Sequence, residues 1–217
     1  MCPGMIVTID GPAGSGKSTV AKRLAEQLGV RFLDTGAMYR AMALAAKRAN
    51  RSLQDPMAVA EVAQACQIRF RDDKLLLNED DVTADIRSPD ISAAASLVAA
   101  IPEVRRQLVR LQQEIGLQGS MVTEGRDQGT VVFPGAQHKY FLTASLEARA
   151  RRRLQELIRK GLTSSLEEVR EQIRERDERD EQRELAPMKP ALDAQVLDTS
   201  DLSVDDVVQL LMRQICG

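Results

Sequence analysis

Gly11-Pro12-Ala13-Gly14-Ser15-Gly16-Lys17-Ser18 is the stretch on which the fold turns. It fits the pattern G-x-x-x-x-G-K-[ST], and its flanks decide what that pattern means. Before it, Met5-Ile6-Val7-Thr8-Ile9 is short, apolar and rich in β-branched residues, which suits a buried parallel strand. After it, Val20, Ala21, Leu24, Ala25 and Leu28 recur at helical spacing until Gly29 supplies a C-terminal stop. Strand, glycine-rich loop and helix in that order form a cradle for phosphate, because the glycines let backbone N–H groups turn inward at a helix N-terminus. Lys17 reaches the β and γ phosphates and the Ser18 hydroxyl ligates Mg²⁺. Gly11, Pro12, Ala13, Gly14, Ser15, Gly16, Lys17, Ser18 and Thr19 are therefore the expected ATP site, with Ser18 the expected metal ligand.

Working outward, a strand over 30–34 and a helix over 36–48 continue a β-α-β-α order, the pattern of a parallel sheet covered by helices. Asp55-Pro56, an N-cap followed by proline at the first helical position, opens a short helix ending near Cys66. The period then changes. Segments 67–71, 75–78 and 82–86 are divided by the acidic turns Asp72-Asp73 and Glu79-Asp80-Asp81, which predicts a small antiparallel meander. Helical pattern resumes at Ser88-Pro89 and Pro102, and strands follow at 121–124 and 138–142. Residues 145–184 hold eleven basic and eleven acidic side chains among forty, against 29% charged residues overall, so this region is solvated. Ser145 and the capping box Ser165-x-x-Glu168 each start a helix there, and helix, loop, helix is the form of a movable lid. A strand over 195–199 and a helix from Ser203-x-x-Asp206 close the chain. One domain is expected, with a core over 1–54, 87–144 and 184–217, an insert over about 55–86 and a lid over about 145–183.

Composition narrows the function. The 217 residues, 43% of them hydrophobic, are enough for one sizeable core, and the longest apolar run, over 93–101, is far below the ~20 residues of a membrane span. No basic and apolar leader precedes Asp10, so the expected location is cytoplasmic. Thirty basic against thirty-two acidic residues give a net charge of −2, which argues against long nucleic-acid backbones as partners. Cys2, Cys66 and Cys216 are far apart and form neither a disulfide framework nor a zinc site. His138, the single histidine, sits at the start of a strand and reads as structural.

A phosphate loop alone leaves switches, motors and small-molecule kinases open. The guanine signature N-K-x-D is absent, and so is the serine-glycine-glycine-glutamine signature of transporter ATPases. What stands out is arginine: Arg40, Arg105, Arg126, Arg176, Arg179 and Arg183 lie near the ends of predicted elements, where side chains can converge above the C-terminal edge of a parallel sheet. The signposts Ile9-Asp10-Gly11-Pro12, Asp34-Thr35-Gly36-Ala37-Met38-Tyr39-Arg40, Glu124-Gly125-Arg126-Asp127-Gln128-Gly129-Thr130-Val131-Val132-Phe133-Pro134 and Glu175-Arg176-Asp177 with Arg179-Asp180 carry a closer likeness. On them, the chain resembles the bacterial cytidylate kinases along its whole length. The resemblance implies a P-loop nucleoside-monophosphate kinase fold, an α/β parallel sheet flanked by helices with a small antiparallel insert for the monophosphate and a short helical lid. It implies transfer of the γ-phosphate of ATP to CMP or dCMP by a monomer using Mg²⁺. It places Arg40, Arg126 and Arg183 on the acceptor phosphate, Ser96, Arg105 and Asp127 on cytosine, and Arg176 and Asp180 on the ribose. Thr35 stands where some members have serine and Glu124 where some have aspartate; both keep the hydroxyl or carboxylate, and Thr35 counts with the CMP site. Lys17, Arg126, Arg176 and Arg183 are the implied catalytic set.

Plainer readings stand beside these. Arg151, Arg152 and Arg153 are consecutive and cannot share a helical face, so they receive no role. Glu124 reads as a metal-ordering acid or as a carboxylate ordering Arg126 or Lys17, and Asp10 likewise. Met38, Met42 and Leu44 on the second helix read as core rather than as a binding stripe. Two rivals remain at the level of sequence: a P-loop kinase for another acceptor such as UMP, AMP or shikimate, and a nucleotide-gated switch.

Overall fold

The computed structural model describes residues 4–71 and 74–217; Cys2 and the Asp72-Asp73 turn lie outside the described residues. Cys66 and Cys216 are free thiols. No helix is long and apolar enough to cross a membrane among the described residues. The chain divides into two units, one made of the residues up to Leu33 with Gly116–Gly217 and the other of Asp34–Ile115.

Counted along the chain, the first unit holds β1 (Ile6–Asp10), α1 (Lys17–Leu28), β2 (Arg31–Asp34), then β6 (Met121–Gly125), β7 (His138–Thr143), α6 (Leu146–Arg159), α7 (Leu166–Glu181), β8 (Gln195–Asp198) and α8 (Val204–Cys216). Its five strands form one sheet in the order β2-β6-β1-β7-β8. β1 pairs in parallel with β6 on one side and β7 on the other, which brings Asp10, Gly125 and Phe141 level at the C-terminal edge. Val7, Thr8 and Ile9 are wholly buried, so the central strand has no solvent-facing side. Val20, Leu24 and Ala25 of α1 and Val207, Val208 and Leu211 of α8 pack with Val7, Ile9, Val122 and Leu142; each fully buried leucine contributes about 2–3 kcal/mol. The chain leaves β1 toward β2 and later crosses from β6 to β7 on the other side of β1. Ligands of open α/β sheets bind at the carboxyl ends where the order reverses in this way.

α6 and α7 pack on each other through Ala150, Leu157, Val169 and Ile173. Ser145 caps α6 by accepting from the Ala148 N–H at 3.2 Å, and Ser165 with Glu168 completes the capping box of α7. Their outer faces carry exposed ion pairs such as Arg170 with Glu167 and Arg174 with Glu178, which add solubility and little stability.

The second unit holds α2 (Thr35–Arg48), α3 (Pro56–Ala65), β3 (Ile68–Arg71), β4 (Lys74–Leu77), β5 (Asp80–Asp81), a 3-10 turn at Asp85–Arg87, α4 (Pro89–Val98) and α5 (Pro102–Gly116). The meander exists, but its third strand is displaced from the expected segment. Asp80 and Asp81 pair with Leu77 and Leu76, while 82–86 leads into the 3-10 turn. The reason lies at Asn78 and Glu79, which both hold positive φ (50° and 71°) and so reverse the chain within two residues. Within this unit α2 buries an apolar face of Met38, Ala41, Met42 and Ala45 and packs against α3 and α4.

Candidate active site

Between β1 and α1 the loop takes the form its glycines demand. Gly11 has φ 145°, and a Cβ there would lie 2.0 Å from the Leu142 carbonyl oxygen, so the loop passes flush against β7. Gly16 precedes α1 without any side-chain cap, which leaves the first N–H groups of the helix to an external acceptor. Ser15 Oγ is buried and makes no hydrogen bond among the described residues. Lys17 is buried, with Nζ donating to the Pro12 carbonyl at 2.9 Å, while Ser18 and Thr19 are exposed on the first helical turn.

Charge gathers around Lys17. Burial lowers its ammonium to about 7, the Arg126 guanidinium adds to the lowering, Glu124 opposes it, and Arg176 and Asp180 follow in the same two senses. Arg126 follows β6 directly and donates from Nε to Asp180 Oδ2 at 2.9 Å. Burial works against an ionised Asp180, but Arg126, Arg176 and Arg183 outweigh it and hold that carboxyl below the ordinary range. Lys17, Arg126 and Arg176 thus crowd one another around the carboxylates Glu124 and Asp180. The ammonium of Lys17 is depressed by burial and by the neighbouring guanidinium groups, while Asp180 and Glu124 outweigh burial and keep Arg126 above its ordinary range.

Asp10, at the end of β1, holds backbone rather than a side chain. Its buried carboxylate accepts from the backbone N–H of Gln128 at 2.9 Å and of Gly129 at 2.8 Å. Burial pushes its carboxyl up to about 7 against the pull of those two bonds, with Asp127 raising it further and Arg126 lowering it. The segment it holds is a π-helical turn at Gln128–Val132, and Thr123 on β6 pins the same turn by donating to Gln128 Oε1 at 2.9 Å. Asp127 opens that turn and is buried.

In the second unit, Asp34 caps α2 by accepting from Ala37 N at 2.8 Å, and its other oxygen holds Arg40 Nη2 at 2.9 Å. Arg40 Nε is buried with no hydrogen-bond partner among the described residues. Arg105 lies over the Tyr39 ring, 5.9 Å from its centroid, and donates to the Ala99 carbonyl at 3.4 Å. Thr35, Ser96 and Arg105 are all buried.

The sequence profile of the cytidylate kinases matches residues 7–216. The chain belongs to the cytidylate kinase family. A cytidylate kinase of Pasteurella multocida is 44% identical over 215 residues, which is 97% of this chain and 95% of that protein. One from Caldanaerobacter subterraneus is 48% identical over 209 residues, 96% and 93% of the two chains. A solved structure of an uncharacterized protein from Eubacterium ventriosum shares the fold at a TM-score of 0.54 and 12% identity, covering 98% of each chain.

This family member gathers Lys17, Arg126, Arg176, Arg183 and Asp180 in its first unit, and it keeps Thr35, Arg40, Ser96 and Arg105 in its second. Arg179 is exposed, with Nε on the Glu175 carbonyl at 3.1 Å, and stays out of the cluster. Of the consecutive arginines, Arg151 pairs with Glu147 in solvent while Arg152 donates to Thr199 and Ser200. Sequence reasoning missed Arg149 and the roles of Asp34 and Asp177. Arg149 is buried and ion-paired with Asp177, and both reach the backbone of Ala13. The available signal was spacing, since Asp177 continues the stripe Val169, Ile173 on α7, where solvent-facing acids do not belong.

Proposed function

We propose that this cytidylate kinase family member, in transferring the γ-phosphoryl group of ATP to CMP or dCMP, holds the triphosphate in the loop from Gly11 to Thr19 and the acceptor through its arginines. The observation that carries the reading is the buried Lys17 on the uncapped start of α1, depressed by burial and by Arg126. In the same reading Arg40, Arg126 and Arg183 grip the CMP phosphate, Thr35, Ser96, Arg105 and Asp127 meet the nucleoside, and Arg176 and Asp180 meet the ribose. The unsatisfied Arg40 Nε supports a phosphate partner for that residue.

The acceptor phosphate is already largely dianionic at pH 7, its second pKa being about 6, so its attacking oxygen needs no general base. Nothing in the cluster has to remove a proton, and catalysis rests on in-line positioning and on charge stabilisation by Lys17, Arg126, Arg176 and Arg183. No group of three or more acids, histidines or cysteines able to cage a metal occurs among the described residues. That fits Mg²⁺, which binds through one or two protein oxygens plus substrate phosphates; Ser18 would hold it, and it would neutralise charge on the β and γ oxygens. The helices over 145–183 would act as the lid, excluding water from the transferring group. Cytoplasmic ATP and CMP are the natural supply of both substrates.

The test is ADP release from ATP with CMP, dCMP, UMP, AMP or shikimate as acceptor. CMP and dCMP are expected to give the highest kcat/KM, and a higher value with any of the other three would overturn the acceptor assignment.

A further inference from the structure

One residue of the phosphate loop, Ala13, is held at both its N–H and its carbonyl by two side chains to which the phosphate-transfer reading gives no part. The Ala13 N–H donates to Asp177 Oδ1 at 3.2 Å, and the Ala13 carbonyl accepts from Arg149 Nη1 at 3.0 Å. Arg149 and Asp177 are themselves ion-paired, and Arg149 Nε is fixed by the Ala144 carbonyl at 2.9 Å. Both side chains are about nine-tenths buried, so the closed ring of Ala13, Asp177 and Arg149 is shielded from water. The loop also rests on α6 sterically, for a Cβ on Gly14 would fall 3.1 Å from Arg149 Cβ.

The consequence follows from where the partners sit in the chain. Arg149 stands on the first turn of α6, and Asp177 is adjacent on α7 to Arg176, one of the cations that bear on Lys17. A planar guanidinium can serve two carbonyls and a carboxylate at once, which an ammonium on a flexible stem cannot do with fixed geometry. We propose that Arg149 and Asp177 are positioning residues that clamp the two peptide groups flanking Ala13 and so hold the phosphate loop in its binding shape and in register with Arg176. The proposal rests on the reading of the loop as the ATP site. It assigns neither residue to the reacting atoms.

The test uses the full chain and reads ATP affinity by calorimetry together with the KM-against-kcat split for ATP and CMP. Arg149→Met and Asp177→Asn are each expected to weaken ATP binding at least about tenfold and to lower kcat, while KM for CMP at saturating ATP moves less than about threefold. Because the two act through one clamp, the double variant is expected to lose no more than the worse single one, whereas independent roles would multiply the losses. Arg149→Lys keeps the charge without the fork and is expected to recover less than half of the lost affinity on a logarithmic scale. Should Arg149→Met unfold, Asp177→Asn and Arg149→Lys carry the same readout. Unchanged ATP affinity in folded variants would overturn the clamp while leaving the ATP site standing. A wild-type chain that binds no ATP would instead overturn the reading beneath it, and multiplied losses in the double variant would refute the shared clamp.

Discussion

ATP binding should draw a proton onto Lys17. Burial and Arg126 lower its ammonium to about 7 in the ligand-free protein, whereas an ordinary lysine titrates at 10.5. At pH 8 the free site therefore holds about 0.1 proton, and a triphosphate that restores the ordinary range fills it, an uptake of about 0.9 proton per ATP bound. The share of Lys17 falls to about 0.5 at pH 7 and about 0.1 at pH 6, where protons released by the ATP phosphate itself enter the balance, so pH 8 is the diagnostic condition. Calorimetric titration of ATP at pH 8 in buffers of low and high ionisation enthalpy measures it directly as the slope of observed enthalpy against buffer enthalpy. Lys17→Met should bind more weakly and lose the slope. The same displacement fixes the stability of the free protein: a lysine lowered on folding leaves the unfolded chain holding more protons between pH 7 and 10.5, so stability rises with pH across that window and bound ATP abolishes the rise. A zero slope at pH 8, or an equal slope in Lys17→Met, would refute the argument that a bound polyanion relieves the burial and repulsion that depress Lys17.

Arg40→Ala should raise KM for CMP about 10- to 100-fold through the loss of charge-assisted hydrogen bonds, with ATP affinity measured by calorimetry within about twofold. Gly11→Ala should destabilise by about 3 kcal/mol or more in denaturant titration, because its Cβ would meet the Leu142 carbonyl oxygen at 2.0 Å, and a stable variant with intact ATP binding would contradict the close approach of loop and strand. Asp127→Asn should narrow the CMP-to-UMP ratio of kcat/KM at least about tenfold, mainly by weakening CMP, since a carboxylate accepts from the cytosine amino group and repels the uracil oxygen. Equal losses on both bases would move Asp127 from base recognition to positioning.

Sequence carried the fold where local chemistry determined it. The β-branched strand before the loop, the Asp55-Pro56 start of α3 and the serine caps at 145, 165 and 203 all depend on neighbours a few residues away, and each stands where its pattern put it. What escaped depends on distant or unusual backbone. The π-helical turn at Gln128–Val132 is held by the carboxylate of Asp10, which no window of sequence connects to it. Asn78 and Glu79 reverse the meander with positive φ on residues other than glycine, so the turn begins one residue before the acidic run Glu79-Asp80-Asp81.

The site divides along the same line. A contiguous motif exposed the phosphate loop, but in α6 and α7 charge is so abundant that composition marks the region as solvated and hides the members that are not. Periodicity separates them. On α6, Arg149 lies beside Ala150 on the stripe that runs through Leu146, Leu154 and Leu157, while Arg151 points a half-turn away and is exposed. On α7, Asp177 and Asp180 continue Leu166, Val169 and Ile173 at spacings of three and four, and both are buried. A charged residue at a core position of a helix must find a partner inside the fold or remain costly, and here the partners are the Ala13 peptide and the Arg126 guanidinium. Arg153 on the α6 stripe stays part-exposed and pairs with Glu156. Arg149 on α6 and Asp177 and Asp180 on α7, by contrast, are buried charges that interrupt an apolar stripe, and each leads back to the phosphate loop or to the cations beside it.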